Sequence, residues 1–141
     1  MKILVPILIS ALGLVSTPLA GACSCAPVST KENVERAMRS EMAIFRGELI
    51  AHKGGSAVFR VDEQWNGNLG AFVEFQWRDG SRGDCNGFWP ELLKVGNKMI
   101  VFGIRAGHGV YRTSICLPTI PLSEASEVLR ILGPGASRAM K

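Results

Sequence analysis

Residues 56–77, SAVFRVDEQWNGNLGAFVEFQW, decide the fold class. The first half alternates: Phe59, Val61 and Trp65 fall on one face, and Arg60, Asp62 and Gln64 on the other. The second half alternates again, with Ala71, Val73, Phe75 and Trp77 in phase. Successive side chains of a strand point to opposite faces, so this pattern marks half-buried strands. Between the two runs, Asn66-Gly67 is the turn signal that hairpins prefer.

Working outward, AIFRGELIA from Ala43 is an apolar, strand-like run that ends near a turn at Gly54-Gly55. Downstream, KMIVFGI (98–104) predicts a fourth strand and GVYRTSICL (109–117) a fifth, which ends near Cys116. The polar, glycine-rich stretch DGSRGDCNG (79–87) reads as a loop. Ser29-Thr30-Lys31-Glu32 has the form of a capping box, with Ser29 as N-cap and Glu32 reaching back. Val34, Ala37 and Met38 follow at helical spacing, so a short helix is expected over 30–39. Ser123 is the expected cap of a last helix. Its apolar stripe is Ala125, Val128, Leu129 and Leu132, and Gly133-Pro134 stops it. These elements predict a mainly β protein: a five-stranded OB-fold-type barrel with a short N-terminal helix and a C-terminal helix. A β-sandwich is the alternative.

A chain of 141 residues suggests one domain. Lys2, an interrupted apolar run from Ile3 to Val15, Pro18 and the small residues Ala20-Gly21-Ala22 have the form of a cleaved secretory signal over 1–22. The apolar run is too short to span a bilayer as a stable helix. The expected division is a signal peptide (1–22), a single domain (23–133) and a flexible tail (134–141). The expected location is extracytoplasmic, either secreted or periplasmic. The 16 basic and 12 acidic residues are interspersed along the chain, which argues for a solvated surface and against nucleic-acid binding. In an oxidising compartment, Cys23, Cys25, Cys85 and Cys116 are expected to form disulfides rather than a metal site. A Cys23–Cys25 bridge would enclose only Ser24, so each is expected to bridge a distant partner. Spacing leaves the two remaining pairings open. Either closes loops of about 60 to 90 residues, each contributing at most roughly 4 kcal/mol in the chain-entropy model.

No catalytic constellation is visible. His52 and His108 lie in separate glycine-flanked stretches, and there is no HExxH, nucleophile elbow, phosphate-cradling loop or evident carboxylate pair. The reading is a non-enzyme without a cofactor. Arg82-Gly83-Asp84 spells an adhesion tripeptide, but it is read as loop chemistry beside Cys85. Trp65, Trp77 and Trp89 are read as core or rim packing rather than a ligand cage.

The mature N-terminus is the candidate functional feature. Cleavage after Ala22 leaves Cys23 with a free α-amine. Residues i and i+2 of an extended segment share a side, so Cys23 and Cys25 are expected to turn into the barrel while Ser24 points out. Pro27 stiffens the chain beyond it. An α-amine and its neighbouring carbonyl form a chelate that can be offered to the open zinc site of another protein. Ala20-Gly21-Ala22-Cys23 also loosely resembles a lipobox, and lipidation of Cys23 would block that amine. Soluble export is the preferred reading.

CSCAPV (23–28) resembles the start of the tissue inhibitors of metalloproteinases, within the netrin-like module superfamily. The similarity continues through AIFRGELI, FRVDEQWNG, the CNG of the loop, KMIVFGI and Cys116, and so spans most of 23–132. The Cys-Ser-Cys start is its specific part. The resemblance implies an OB-type barrel with Cys23 paired to Cys85 and Cys25 to Cys116. It implies a zinc metalloprotease as partner, with the Cys23 amine and carbonyl as ligands to the protease's zinc. Ser24 would enter the pocket beyond the cleavage point. Cys25, Ala26 and Pro27 would extend the contacting edge, and the loop around Cys85 would lie beside it. Animal members carry more cysteines and a second small domain, and here a charged helix follows Pro27. Other netrin-like modules are non-inhibitory binding units, which is the alternative function. The expected state is a monomer without membrane attachment, unless Cys23 is lipidated.

Overall fold

The two alternating runs fold as antiparallel neighbours, β2 (Ser56–Asn66) and β3 (Phe72–Gln76), in register from Ser56 opposite Gln76 to Arg60 opposite Phe72. The structure is a computed structural model that describes residues 23–78 and 85–137. The remaining strands are β1 (Ala43–Lys53), β4 (Lys98–Gly107), β5 (Val110–Arg112), β6 (Ile120–Pro121) and β7 (Ala136–Ser137). Helix α1 (Thr30–Arg39) precedes the sheet, and α2 (Ser126–Leu132) follows β6. The sheet runs β1-β2-β3-β5-β4 and closes by pairing β1 with β4. All pairs along this path are antiparallel except β3 with β5, which is parallel. The result is the expected five-stranded OB-type barrel with its two helices, not a sandwich. No helix among the described residues is long and apolar enough to cross a membrane.

The barrel interior is filled from strands β1 to β5, with Phe45, Phe59 and Phe75 fully buried. Phe59 meets Phe75 edge-on at 5.6 Å, and Phe88 closes on Phe75 at 5.3 Å. A second apolar layer lies on the other face of β1 and β4. There Ile44, Ile100 and Phe102 pack with Val34 and Ala37 of α1, with Ala125 just ahead of α2, and with Val128 and Leu132 of α2. Residues 43–45 of β1 and 99–103 of β4 are therefore buried on both faces, and these stretches read as continuous apolar runs rather than alternating ones.

Several expectations are corrected in detail. Asn66-Gly67 does not make a two-residue turn, since β3 starts only at Phe72. The Asn66 side chain donates to the Ser40 carbonyl at 2.8 Å, Gln64 Oε1 accepts from the Leu69 amide at 3.2 Å, and Leu69 is buried. The connection is thus a longer loop drawn onto the core. Trp65 does not share the face of Phe59. Arg46 pairs with Glu63 but Gly47 pairs with Val61, so Asp62 is an extra residue on β2. This bulge reverses the facing of the residues after it. Gln64 then sits opposite the inward Phe45, while Trp65 joins the helix-covered layer and donates from Nε1 to the Gly133 carbonyl at 2.7 Å. Ala71 is exposed at the strand margin, and Met38 lies off the buried face of α1.

The caps also differ from expectation. Ser29 accepts from the Glu32 amide at 3.2 Å, but the Glu32 carboxylate turns forward to Arg36 at 2.9 Å. Ser123 falls in a short 3-10 turn (Leu122–Glu124), and α2 starts after Ala125 without a side-chain cap. β5 stops at Arg112, because Thr113 turns inward and its hydroxyl donates to the Phe102 carbonyl at 2.8 Å. The expected loose tail is partly anchored. Beyond Arg60 the margin of β2 is no longer covered by β3, and β7 pairs there, with Ala136 opposite Gln64 and Ser137 opposite Glu63.

Gly47 marks the tightest approach in the barrel wall. A Cβ there would lie 2.5 Å from the Arg60 carbonyl oxygen, a backbone atom that cannot rotate away. Gly47→Ala is expected to lower stability by about 2–3 kcal/mol, the upper range for overpacking. Urea unfolding would measure it, and a neutral result would mean that β1 and β2 separate here without loss.

Candidate functional site

Residues 23–29 cross the surface without regular structure and are fastened at both ends. At one end Cys23 is bonded to Cys85 (Cα–Cα 5.5 Å) and Cys25 to Cys116 (Cα–Cα 5.3 Å). At the other, Ser29 caps α1, which is docked on the barrel by Val34 and Ala37. The two partner cysteines lie on segments that pair with each other. The Gly87 amide donates to the Thr113 carbonyl at 2.9 Å and the Ile115 amide to the Cys85 carbonyl at 3.0 Å, with a bridge between Asn86 and Ser114. This two-segment ribbon is fixed to the barrel by the Thr113–Phe102 hydrogen bond and by Phe88, which enters the core.

The strap faces outward. Ser24, Cys25, Ala26 and Pro27 are exposed, and Cys23 is half-buried. The expectation that both cysteines turn into the barrel is therefore corrected. The interior is already filled by phenylalanine rings, and the bonding partners lie on the ribbon outside it. Ser24 is exposed, as is the edge formed by Cys25, Ala26 and Pro27. The expected cleavage site Ala20-Gly21-Ala22 and the tripeptide Arg82-Gly83-Asp84 lie outside the described residues.

The ribbon depends on Gly87. Its φ is +100, and a Cβ there would lie 2.9 Å from Cδ1 of the Trp77 indole, which covers it. Gly87→Ala is expected to cost about 2–4 kcal/mol by adding a left-handed backbone penalty to overpacking. Thermal unfolding and the rate of reduction of Cys23–Cys85 would both report it. A variant as stable as the parent would show that the Trp77–Gly87 contact does not hold the ribbon.

The other candidates do not converge. His52 lies near the end of β1 and His108 on the β4–β5 turn, and no group of three or more metal-ligating side chains occurs among the described residues. Trp65 and Trp77 pack against the two apolar layers, while Trp89 is exposed.

The structure adds one feature that the sequence did not disclose. An open cleft of about 610 Å³ lies beside the ribbon, lined among others by Gln76, Trp77, Arg78, Asn86, His108 and Arg112. These residues come from three separate stretches of chain: the end of β3, the ribbon and the β4–β5 hairpin. They meet because the parallel pairing of β3 with β5 ends at Phe75 and Tyr111, and the two strands part beyond it. No short motif encodes such a meeting.

The chain matches no protein-family model, and no curated protein matches it at a significant level.

Proposed function

We propose that this chain is an exported inhibitor of zinc metalloproteases, built on the plan of the tissue inhibitors and their netrin-like barrel. Residues 1–22 are the signal, and the mature chain starts at Cys23 in a secreted or periplasmic location. The observation that carries the reading is the strap at residues 23–27, exposed from Ser24 to Pro27 and crosslinked at both cysteines. Two disulfides are compatible with an extracytoplasmic location.

In this reading the Cys23 α-amine and carbonyl oxygen are the ligands offered to the protease's zinc, at the position that catalysis otherwise leaves to water. Ser24 enters the adjoining pocket, and Cys25, Ala26 and Pro27 run along the substrate cleft. The crosslinks matter energetically because a flexible chain end would lose conformational entropy on binding, and this one is ordered in advance. An alanine inserted ahead of Cys23 tests the reading. Inhibition across a panel of zinc endopeptidases is expected to disappear while the fold persists.

The cleft beside Trp77 favours a second reading, a non-inhibitory extracytoplasmic binding module that uses the barrel surface. Binding by such a module survives the N-terminal insertion. If Cys23 is the attachment point of a lipid, the intact mass of the exported protein is raised by the acyl groups, and only the second reading stands.

A further inference from the structure

We infer that the cleft between the ends of β3 and β5 is a binding site for an acidic peptide segment of a protein partner. The cleft opens where the barrel seam parts. Continuing the β3–β5 register would place Gln76 opposite Arg112, but the ribbon at Asn86 and Gly87 takes up the backbone of Thr113 instead. The gap is lined by Trp77 and Arg78, by Arg112 and the β4–β5 turn, and by Asn86.

The chemistry of the walls selects the ligand. Arg78 and Arg112 are both exposed, and, like Arg39, Arg105 and Arg130, neither forms an ion pair among the described residues; these two share one cleft. No carboxylate occurs among the described lining residues. A guanidinium presents a planar fork that matches a carboxylate in two parallel hydrogen bonds. Trp77 supplies an apolar wall beside the two guanidinium groups. His108 belongs to the same wall. It has φ +50 between Gly107 and Gly109, a left-handed conformation uncommon outside glycine.

The same face argues against a long polyanion. Glu74 lies next to the cleft and accepts from Gln76 Nε2 at 2.9 Å and from Ser56 at 3.1 Å. A carboxylate there interrupts the positive surface that a sulfated polysaccharide or nucleic acid needs to track along. Two arginines beside an indole suit one or two carboxylate side chains on an extended peptide. The site does not depend on a bare Cys23 amine.

The test uses the exported protein with both disulfides intact. The probe is an acetylated, amidated hexapeptide of three glutamates and three alanines, and its control has glutamines in place of the glutamates. The glutamate peptide is expected to shift the amide resonances of Gln76, Trp77, Asn86 and Arg112, and the glutamine peptide to leave them in place. Arg78→Gln and Arg112→Gln are each expected to weaken binding about tenfold, the loss of one charge-assisted contact. Near-UV circular dichroism checks that each variant keeps its fold, and the two lie on different segments, so one misfolded variant leaves the other informative. The inference is overturned by equal binding of the glutamine peptide, by shifts confined to other surfaces, or by no binding at millimolar peptide. Tighter binding of a heparin hexasaccharide to these same residues would also overturn it. None of these outcomes bears on zinc-protease inhibition, which the N-terminal insertion reads separately.

Discussion

Replacing Cys25 and Cys116 together by alanine is expected to lower the unfolding free energy by about 4 kcal/mol, the largest stability change that a single crosslink supports here. The bond spans 91 residues, and the loop-closure entropy it removes from the unfolded chain grows with the logarithm of that length. The Cys23–Cys85 bond spans 62 residues, and the logarithm makes the two contributions differ by only a few tenths of a kcal/mol, about 0.3. A domain of this size has roughly 5–15 kcal/mol in total, so the doubly substituted chain keeps a folded state but a marginal one. Urea unfolding under non-reducing conditions measures the loss. Cys23–Cys85 stays intact in this variant, so the ribbon remains tethered while the strap gains freedom between Ser24 and Ser29. A loss below about 1 kcal/mol would mean that the unfolded chain is already compact around Cys25 and Cys116, and that the entropic account does not apply.

The barrel was legible because its strands carry their burial pattern openly. Phe59 and Val61, then Val73 and Phe75, alternate with polar or exposed neighbours, and the strands they predicted pair as expected. Helix α1 was legible for a similar reason, since Ser29 competes well for the first free amides and Val34 and Ala37 mark the docked face. What escaped is what pairing alone creates. Nothing in VDEQW announces that Asp62 is extra. The bulge shows only in the pairing, where Arg46 lies opposite Glu63 but Gly47 opposite Val61. Trp65 was assigned to the wrong layer for that reason. The fifth strand was drawn too long because Thr113 has high strand propensity, yet its hydroxyl finds a buried carbonyl partner in Phe102.

The site divides in the same way. The cysteines themselves were visible, but their spacing left two pairings open, and only the resemblance of CSCAPV to the tissue inhibitors chose between them. The bonds observed are those two, Cys23 with Cys85 and Cys25 with Cys116. Their location on a paired ribbon was hidden, since Asn86 and Ser114 lie far apart in sequence and pair through backbone. The cleft was hidden for a stronger reason. Arg78 and Arg112 signal nothing alone, and they gain meaning only where two parallel strands diverge.

Inserting one alanine ahead of Cys23 is expected to weaken inhibition of every susceptible zinc protease by at least about a hundredfold, or about 2.7 kcal/mol. The insertion does two things at once. It turns the α-amine of Cys23 into an amide nitrogen, whose lone pair is delocalised into the carbonyl and no longer available to a metal. It also places a residue of about 3.3 Å length ahead of a strap whose position is fixed by two disulfides. The strap cannot retreat to make room, so the proposed ligand atoms are both altered and obstructed. The fold has no part in the loss, because Ser24 to Pro27 are exposed and the crosslinks remain. Unfolding curves of the inserted and parent proteins should therefore superimpose while their inhibition constants separate. The parent carries a second signature. Only a neutral amine can donate to zinc, and an α-amine loses its proton slightly above neutral pH. Inhibition by the parent is thus expected to weaken as pH falls below neutrality, because protons compete with zinc for the same lone pair, whereas residual inhibition by the inserted chain should lack that component. Inhibition left unchanged by the insertion would remove the chelation mechanism and leave the barrel surface, with its cleft, as the binding element.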